Sequence, residues 1–299
     1  MTNYFDPKII GRIKNLDLRS MRLVESFQSG MHKSKILGIS TEFAQHRQYV
    51  EGDEIKHIDW KVFAKTDKYY IKQYEAETSM NTYFLIDTSA SMFFKSDEAS
   101  MSKFDYAATT VSAMMYMIQG QKDTFALGLF DGKVHTRLPA KGSKSHYQNC
   151  NRMLEAAKPS TATNVAGSLS SIAPQMPQPG IVILISDFID DMDKFALALG
   201  QMNFIGHDLI IFHVEDPLER DFSYGGQTIF IGPENEGKLL CDPRDLKSAY
   251  LREREAHIGE VRRICRRAGY ELENMFTDTP LDATLSGIIA SRAARKMAR

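Results

Sequence analysis

One short stretch of the chain, residues 87–91, carries a carboxylate and two hydroxyls at alternate positions. Asp87, Ser89 and Ser91 directly follow residues 82–86, a run of β-branched, aromatic and aliphatic side chains that predicts a buried strand. In an open α/β sheet, ligands gather at the carboxyl ends of the strands. Carboxylate and hydroxyl oxygens are hard ligands and suit a hard divalent cation, above all Mg²⁺. The stretch therefore predicts a metal site at a strand end.

The same three side chains also have an ordinary structural explanation. Ser and Asp cap helix N-termini, where their side-chain oxygens accept hydrogen bonds from free amides. A pattern as short as Asp-x-Ser-x-Ser also arises by chance in many sequences. The metal-site interpretation therefore depends on whether other strands bring matching oxygens to the same edge of the sheet.

A second apolar run repeats the pattern. Residues 180–186 lead directly into Asp187, again a carboxylate at the end of a predicted strand. Because parallel strands end at the same edge of a sheet, Asp87 and Asp187 are predicted to lie near each other. Between the two runs, the polar loop 159–164 contains Thr163. Either a threonine hydroxyl of this loop faces the same edge, or Thr163 or Asn164 caps the helix that follows.

The spacing of apolar residues predicts an α/β fold. Helical and strand patterns alternate from residue 81 to 214, which is typical of a doubly wound, mostly parallel sheet with helices on both faces. Asp131-Gly132 predicts a hairpin whose return strand forms an antiparallel edge. Predicted helices cover residues 6–28, 103–119, 143–157, 164–173, 190–203 and 242–268, and predicted strands cover 69–75, 82–86, 124–130, 133–138, 180–186, 208–214 and 228–231, with a polar turn at Asp216-Pro217.

Composition excludes several classes of protein. The 299 residues are 43% hydrophobic and carry a formal net charge of -1, which argues against a general binder of nucleic acid or membrane surfaces. No apolar stretch approaches the roughly 20 residues needed to span a bilayer, and no secretory signal pattern is present. The three cysteines are scattered, which favours a reducing compartment. We therefore expect a cytoplasmic protein without membrane insertion. Neither a dinucleotide-binding fingerprint nor a P-loop is present.

The N-terminal region differs in composition from the rest. Residues 40–77 are dense in charge and contain the only tryptophan, Trp60. We favour a packed surface network, with ion pairs such as Arg47 with Asp53 or Asp59, over a binding site. The predicted division is a family-specific, charged and β-rich N-terminal region at 1–79, an α/β domain at 80–240, and a helical region at 241–299 packed on it.

The candidate site residues resemble a known arrangement. Asp87-Thr-Ser-Ala-Ser91, Thr163 and Ser186-Asp187 are similar to the three loops of a metal-ion-dependent adhesion site in a von Willebrand factor type A domain, which has a Rossmann-type topology. The run from Gly52-Asp53 to Asp59-Trp60 resembles the N-terminal signature of a bacterial family, the domain-of-unknown-function family fifty-eight, in which a type A domain is embedded. The resemblance extends from about residue 20 to residue 290.

The resemblance implies a binding module rather than an enzyme. Carried over to this chain, it makes Ser89, Ser91 and Thr163 the direct ligands of Mg²⁺, with Mn²⁺ as the alternative ion, and it places Asp87 and Asp187 behind water ligands. An open coordination position can then accept an Asp or Glu carboxylate from a protein ligand. The family resemblance also implies a MoxR-type AAA+ ATPase as partner, in chaperone-like complex assembly.

One residue departs from the family pattern. Asn164 follows Thr163 where many relatives carry an acidic residue, which removes a negative charge from the loop.

Two other classes of function remain open. The first alternative is a structural scaffold whose metal site has lost its ion. The second is a Mg²⁺-dependent phosphohydrolase with Asp87 as nucleophile. That chemistry needs a second Asp two residues later, where this chain has Ser89.

Overall fold

The computed structural model describes residues 6–30, 43–50, 60, 62–63, 68–74, 81–121, 123–132, 134–160, 164–176, 179–225, 228–231 and 237–288. The chain divides into two compact units. The larger unit combines Met1–Lys33 with Met80–Arg299, and the smaller unit is Ser34–Ser79. Among the described residues, every helix is too short or too polar to cross a membrane.

The larger unit is built on a six-stranded sheet with the strand order β10-β7-β6-β3-β4-β5. The strands of the chain are β1 (Phe43–Gln48), β2 (Tyr70–Tyr74), β3 (Asn81–Asp87), β4 (Thr124–Phe130), β5 (Val134–Lys141), β6 (Ile181–Ser186), β7 (Asp208–Glu215), β8 (Thr228–Ile231), β9 (Lys238–Cys241) and β10 (Glu271–Phe276). The helices are α1 (Pro7–Ile10), α2 (Leu16–Gly30), α3 (Lys103–Gly120), α4 (Lys144–Glu155), α5 (Val165–Ile172), α6 (Met192–Ile205), α7 (Pro217–Asp221) and α8 (Pro243–Arg267). Residues 281–288 are also helical.

The predicted α/β fold is confirmed by the pairing of these strands. β3 lies at the centre and pairs in parallel with β4 and β6, and β5 returns antiparallel to β4 at one edge. All residues of β6 are buried, as expected for a strand covered on both faces. One face packs on α5, α6 and α8, which join the sheet residues in a single apolar cluster. The other face lies against α3, with α2 and α4 packed on α3.

Several local predictions were wrong. The helical pattern predicted at 6–28 corresponds to two helices, and the second begins where Asn15 accepts a hydrogen bond from the Leu18 amide at 2.8 Å. The polar turn predicted at Asp216-Pro217 opens the short helix α7, in which the Asp216 and Glu219 side chains cap each other's backbone amides. The predicted strand 228–231 has an antiparallel partner, β9, that was not predicted.

The C-terminal region also differs from its prediction. Residues 241–299 were expected to be a helical region packed on the α/β domain, yet they include β10, a strand of the central sheet that pairs in parallel with β7. In β10, buried and exposed residues alternate only loosely, as is common at a sheet edge, so its sequence gives a weak strand signal. The boundary predicted at residue 240 therefore cuts through one compact unit.

The first helices also belong to the larger unit. The Leu16 amide donates a hydrogen bond to Glu155 at 2.8 Å, and the Arg19 guanidinium donates one to the Thr109 hydroxyl at 2.9 Å. Leu23 and Val24 of α2 are buried. The N-terminal region predicted at 1–79 is therefore two different segments, of which only Ser34–Ser79 forms a separate unit.

The smaller unit contains the antiparallel pair of β1 and β2, in keeping with the β-rich expectation. The Phe63 ring stacks on Tyr69 with the ring centroids 4.5 Å apart, and Trp60 meets Phe63 edge to face. The ion pairs predicted for Arg47 with Asp53 or Asp59 lie outside the described residues.

The position of α8 in the larger unit can be tested by mutation. Ile264 is 7% exposed and belongs to the apolar cluster of the sheet, so Ile264→Ala should lower the free energy of unfolding by about 2–4 kcal/mol. The neighbouring Arg263 is exposed, and Arg263→Ala should leave stability nearly unchanged. Urea unfolding followed by circular dichroism would measure both variants. Equal stability of the two variants would contradict the placement of α8 in this core.

Candidate metal site at the carboxyl edge of the sheet

Asp87 ties the ends of two neighbouring strands together. It is the last residue of β3 and is fully buried. Its Oδ1 accepts a hydrogen bond from the Ser89 amide at 2.8 Å, and its Oδ2 accepts one from the Ser186 hydroxyl at 2.6 Å. Ser186 ends β6, which pairs with β3 in parallel. The carboxyl ends of the two apolar runs therefore meet at one edge, as the sequence predicted.

The two serines after Asp87 face each other. A short 3₁₀ helix, Ala90–Phe93, turns the chain so that the Ser89 and Ser91 hydroxyl oxygens lie 3.1 Å apart, and both residues are buried. An octahedral Mg²⁺ ion has ligands at about 2.0–2.1 Å, so two adjacent ligands are roughly 3 Å apart. The spacing of the hydroxyl pair matches two neighbouring positions of such an ion.

The loop that contains Thr163 runs beside the serines at its start. Ser160 forms a bridge with Ser89, and its amide donates a hydrogen bond to the Thr88 carbonyl at 3.0 Å. Thr163 itself lies outside the described residues. Asn164 caps α5 by accepting a hydrogen bond from the Gly167 amide at 2.6 Å, so the capping alternative considered for this loop applies to Asn164.

Asp187 has one bonded and one free oxygen. Its Oδ2 accepts a hydrogen bond from the Lys103 ammonium at 2.9 Å. Its Oδ1 is buried and makes no hydrogen bond of ordinary length to the described residues. The Ser91 hydroxyl is nevertheless close enough to help lower the pKa of the Asp187 carboxyl. Asp187 Oδ1 is therefore a hard oxygen with an unmet demand for a proton donor or a cation.

Lys103 is a buried cation at this site that the sequence analysis did not identify. It is the first residue of α3 and is 1% exposed, and its ammonium contacts Glu219 at 2.8 Å as well as Asp187. Burial alone would lower the pKa of Lys103, but the two carboxylates raise it overall. Lys103 is therefore charged at neutral pH.

The two aspartates titrate differently because their surroundings differ. Burial raises the pKa of Asp87 to about 7, and the negative charge of Asp187 acts in the same direction against the hydrogen bonds from Ser186 and Ser89. Burial also acts to raise the pKa of Asp187, but the Lys103 ammonium outweighs it and brings this pKa below its usual range. Asp187 is the stronger acid of the pair.

The residue after Asp187 has a strained backbone. Phe188 adopts a left-handed conformation with φ 56°, which is costly for a residue with a side chain. Its amide donates a hydrogen bond to the Ser186 hydroxyl at 2.9 Å, its ring is fully buried beside Phe195, and its carbonyl lies 3.0 Å from the His257 ring nitrogen. These contacts hold the turn that carries Asp187 over the end of the sheet.

A second layer of charged and polar groups lies behind Asp187. His213, beside Ser186 in the strand register, is buried, and burial lowers its pKa to about 4. It is therefore neutral at neutral pH. The adjacent Glu215 accepts two hydrogen bonds from Arg254 of α8, at 2.6 and 2.7 Å. Contacts from α8 thus reach the strand next to the site.

The set of donor atoms limits what the site can hold. In the part of the chain that the structure describes, no group of three His, Cys, Asp or Glu side chains is arranged to hold a metal ion. A cation at this edge would therefore depend on hydroxyl oxygens. The Ser89 and Ser91 hydroxyls and Asp187 Oδ1 are suitable hard donors for Mg²⁺ or Mn²⁺.

Sequence reasoning missed two residues that shape the site, Lys103 and Glu219, and it did not predict the hydrogen bonds of Ser186. The sequence placed Lys103 at the start of an apolar helix, and it placed Ser186 at a strand end and, by resemblance, in the third loop of the site. A lysine on the first turn of a helix is unfavourable because that end of the helix favours anions. This mismatch was the available signal that Lys103 has carboxylate partners.

Comparison with known proteins identifies the family. Residues 45–260 match the profile of the family described as "Protein of unknown function DUF58". The chain belongs to this family. It is 26% identical over 297 residues to "Uncharacterized protein Rv1480" of Mycobacterium tuberculosis (strain ATCC 25618 / H37Rv) and to "Uncharacterized protein Mb1516" of Mycobacterium bovis, which covers 96% of this chain and 90% of each relative.

Two solved structures match most of this DUF58 chain at low sequence identity. The conserved hypothetical protein BatB from Bacteroides thetaiotaomicron is 14% identical with a TM-score of 0.47, covering 72% of this chain and 98% of BatB. The von Willebrand factor domain of the type V pili tip protein Mfa5 from Porphyromonas gingivalis is 12% identical with a TM-score of 0.39, covering 72% of this chain and 95% of the other.

The double role of Ser186 gives a test of this geometry. Ser186→Ala removes the hydrogen bonds to Asp87 Oδ2 and to the Phe188 amide and leaves these two buried atoms without their partner, so it should lower the free energy of unfolding by about 1–3 kcal/mol. Ser171→Ala is the matched control, because the exposed Ser171 hydroxyl only donates to the Ser168 carbonyl. Urea titrations of both variants would measure the difference. A loss no larger than in the control would show that Ser186 does not tie the strands.

Proposed function

We propose that this DUF58 protein is a non-enzymatic module that binds another protein in a Mg²⁺-dependent way. The other protein supplies an Asp or Glu carboxylate that binds the cation. The observation that carries the proposal is the Ser89 and Ser91 hydroxyl pair, 3.1 Å apart, at the strand edge that also holds Asp87 and Asp187.

The chain's own residues would share the work as follows. Ser89, Ser91 and Thr163 would hold Mg²⁺, or Mn²⁺, directly, and Asp87 and Asp187 would act through water. When bound, the cation supplies an electrophilic position to which an Asp or Glu of another protein can bind. Asp87 keeps the two loops in register through Ser89 and Ser186, so its function is to hold the serines in place.

The hydrogen bonding of Asp87 favours a binding role over phosphoryl chemistry. Both Asp87 oxygens accept hydrogen bonds, at 2.8 Å from the Ser89 amide and 2.6 Å from the Ser186 hydroxyl, which fits a residue that positions the two loops. Ser89 stands where a phosphohydrolase of that type needs a second carboxylic acid as general acid and base.

We further propose a MoxR-type AAA+ ATPase as the partner, in chaperone-like complex assembly in the cytoplasm. The family resemblance supports this partner, and the three free cysteines fit a reducing compartment. ATP chemistry would then belong to the partner, since this chain has no P-loop.

Metal-dependent stabilisation is the first test. At one hundred times its dissociation constant, a cation that binds only the folded protein adds about 2.7 kcal/mol to the free energy of unfolding. We expect such a gain with Mg²⁺ or Mn²⁺ for the wild type and for Ser171→Ala, and none for Ser89→Ala, in urea unfolding. A scaffold that has lost its ion would give no gain in any of the three.

Partner binding is the second test. The purified MoxR-type ATPase from the same organism should be retained by immobilised wild-type protein with Mg²⁺ and released by EDTA. Ser89→Ala should bind the ATPase at least ten-fold more weakly and retain correspondingly less of it, a loss of at least about 1.4 kcal/mol in binding free energy. Equal retention by the two proteins would argue against recognition through the metal.

A further inference from the structure

Lys103 is the one cation buried against Asp187 among the described residues. Its ammonium lies 2.9 Å from Asp187 Oδ2 and 2.8 Å from Glu219 Oε1. Glu219 is itself held, because its second oxygen accepts a hydrogen bond from the Asp216 amide at 3.0 Å. Asp216 in turn accepts a hydrogen bond from the Ser96 amide at 3.1 Å. The ammonium is therefore fixed in place by the turn after β6 and by helix α7.

Stability alone does not explain a lysine at this position. α3 is an 18-residue helix, and its N-terminal end favours negative charge, so a cation at its first residue is unfavourable. Burying an ammonium also costs several kcal/mol, and apolar residues of similar size often stabilise a protein as well as a buried ion pair does. The effect of Lys103 on Asp187 is a better explanation.

Lys103 reduces the negative charge that Asp187 can offer to a bound cation. Three of the four carboxylate oxygens of Asp87 and Asp187 accept hydrogen bonds, one of them from the Lys103 ammonium. The remaining oxygen, Asp187 Oδ1, is buried and belongs to the carboxylate that Lys103 already neutralises. Affinity for hard cations rises with the number of charged ligands, so this neutralisation weakens the site.

We propose that Lys103 sets the cation affinity of the site: by neutralising Asp187 it keeps binding of a free ion weak, so that the ion is held tightly only when another protein adds its carboxylate. This inference rests on the metal-dependent function proposed above. It makes Lys103 a positioning residue that links metal binding to partner binding.

Calorimetric titration of the full chain with MnCl₂ and MgCl₂ tests the inference. The variant is Lys103→Gln with Glu219→Gln, in which the amide at position 103 can still donate to Asp187 and the net charge of the chain is unchanged. The dissociation constant for either ion should fall at least ten-fold relative to the wild type, because Asp187 regains its full negative charge. A role of Lys103 in stability alone would change the unfolding free energy and leave this constant unchanged.

Two single variants are the controls. Glu219→Gln alone keeps Lys103 and should bind the ions no more tightly than the wild type. Lys194→Met removes a lysine that is 72% exposed and paired with Asp191, and it should leave the dissociation constant unchanged. A second double variant, Lys103→Met with Glu219→Leu, fills the same space with apolar groups if the first does not fold.

The outcomes separate this inference from the function on which it rests. A ten-fold gain in either double variant supports the inference. Equal affinity of wild type and double variant overturns it and leaves the metal-dependent function standing. Absence of binding in the wild type and in all variants overturns both. Failure of both double variants to fold would assign Lys103 a structural role and overturn the inference.

Discussion

Two buried carboxylates at adjacent strand ends are the constraint on which the site depends. Parallel pairing of β3 with β6 brings Asp87 and the turn after Ser186 to one edge, where water cannot solvate both charges. The chain compensates with the Ser186 hydroxyl, the Ser89 amide and the Lys103 ammonium. These groups also fix the loops that carry the candidate ligands. The geometry of the site thus follows from supplying hydrogen bonds and one cation to two buried carboxyl groups.

The sheet was predictable from sequence because its strands are buried on both faces. Their continuous apolar runs, such as 181–186, give a strong signal, and a carboxylate at the end of each run locates the site edge. β10 was missed because an edge strand buries only part of its side chains, and β9 was missed because four residues are too few to show a strand pattern. Lys103 was missed for a different reason: its partners, Asp187 and Glu219, are 84 and 116 residues away in sequence.

The strained backbone of Phe188 and the hydrogen bonds of Ser186 together hold the turn that carries Asp187. The left-handed backbone of Phe188 turns the chain directly after Asp187, and Ser186 below it bonds both to that turn and to Asp87. His257 reaches the same turn from α8, while Arg254 of α8 pairs with Glu215 at the end of the neighbouring strand. A helix far away in sequence therefore supports the loop that carries Asp187.

The order of elements along the chain has a consequence for biosynthesis. α2 is made early, yet its contacts lie on α3 and α4, and the edge strand β10 joins the sheet only at 271–276. Between α2 and β3, the ribosome produces the smaller unit, Ser34–Ser79, whose own strands β1 and β2 can pair at once. The larger unit must therefore wait for nearly the whole chain before its sheet is complete. Contacts of such long range slow folding. The apolar runs of the central strands therefore stay exposed on the nascent chain until β10 has been made.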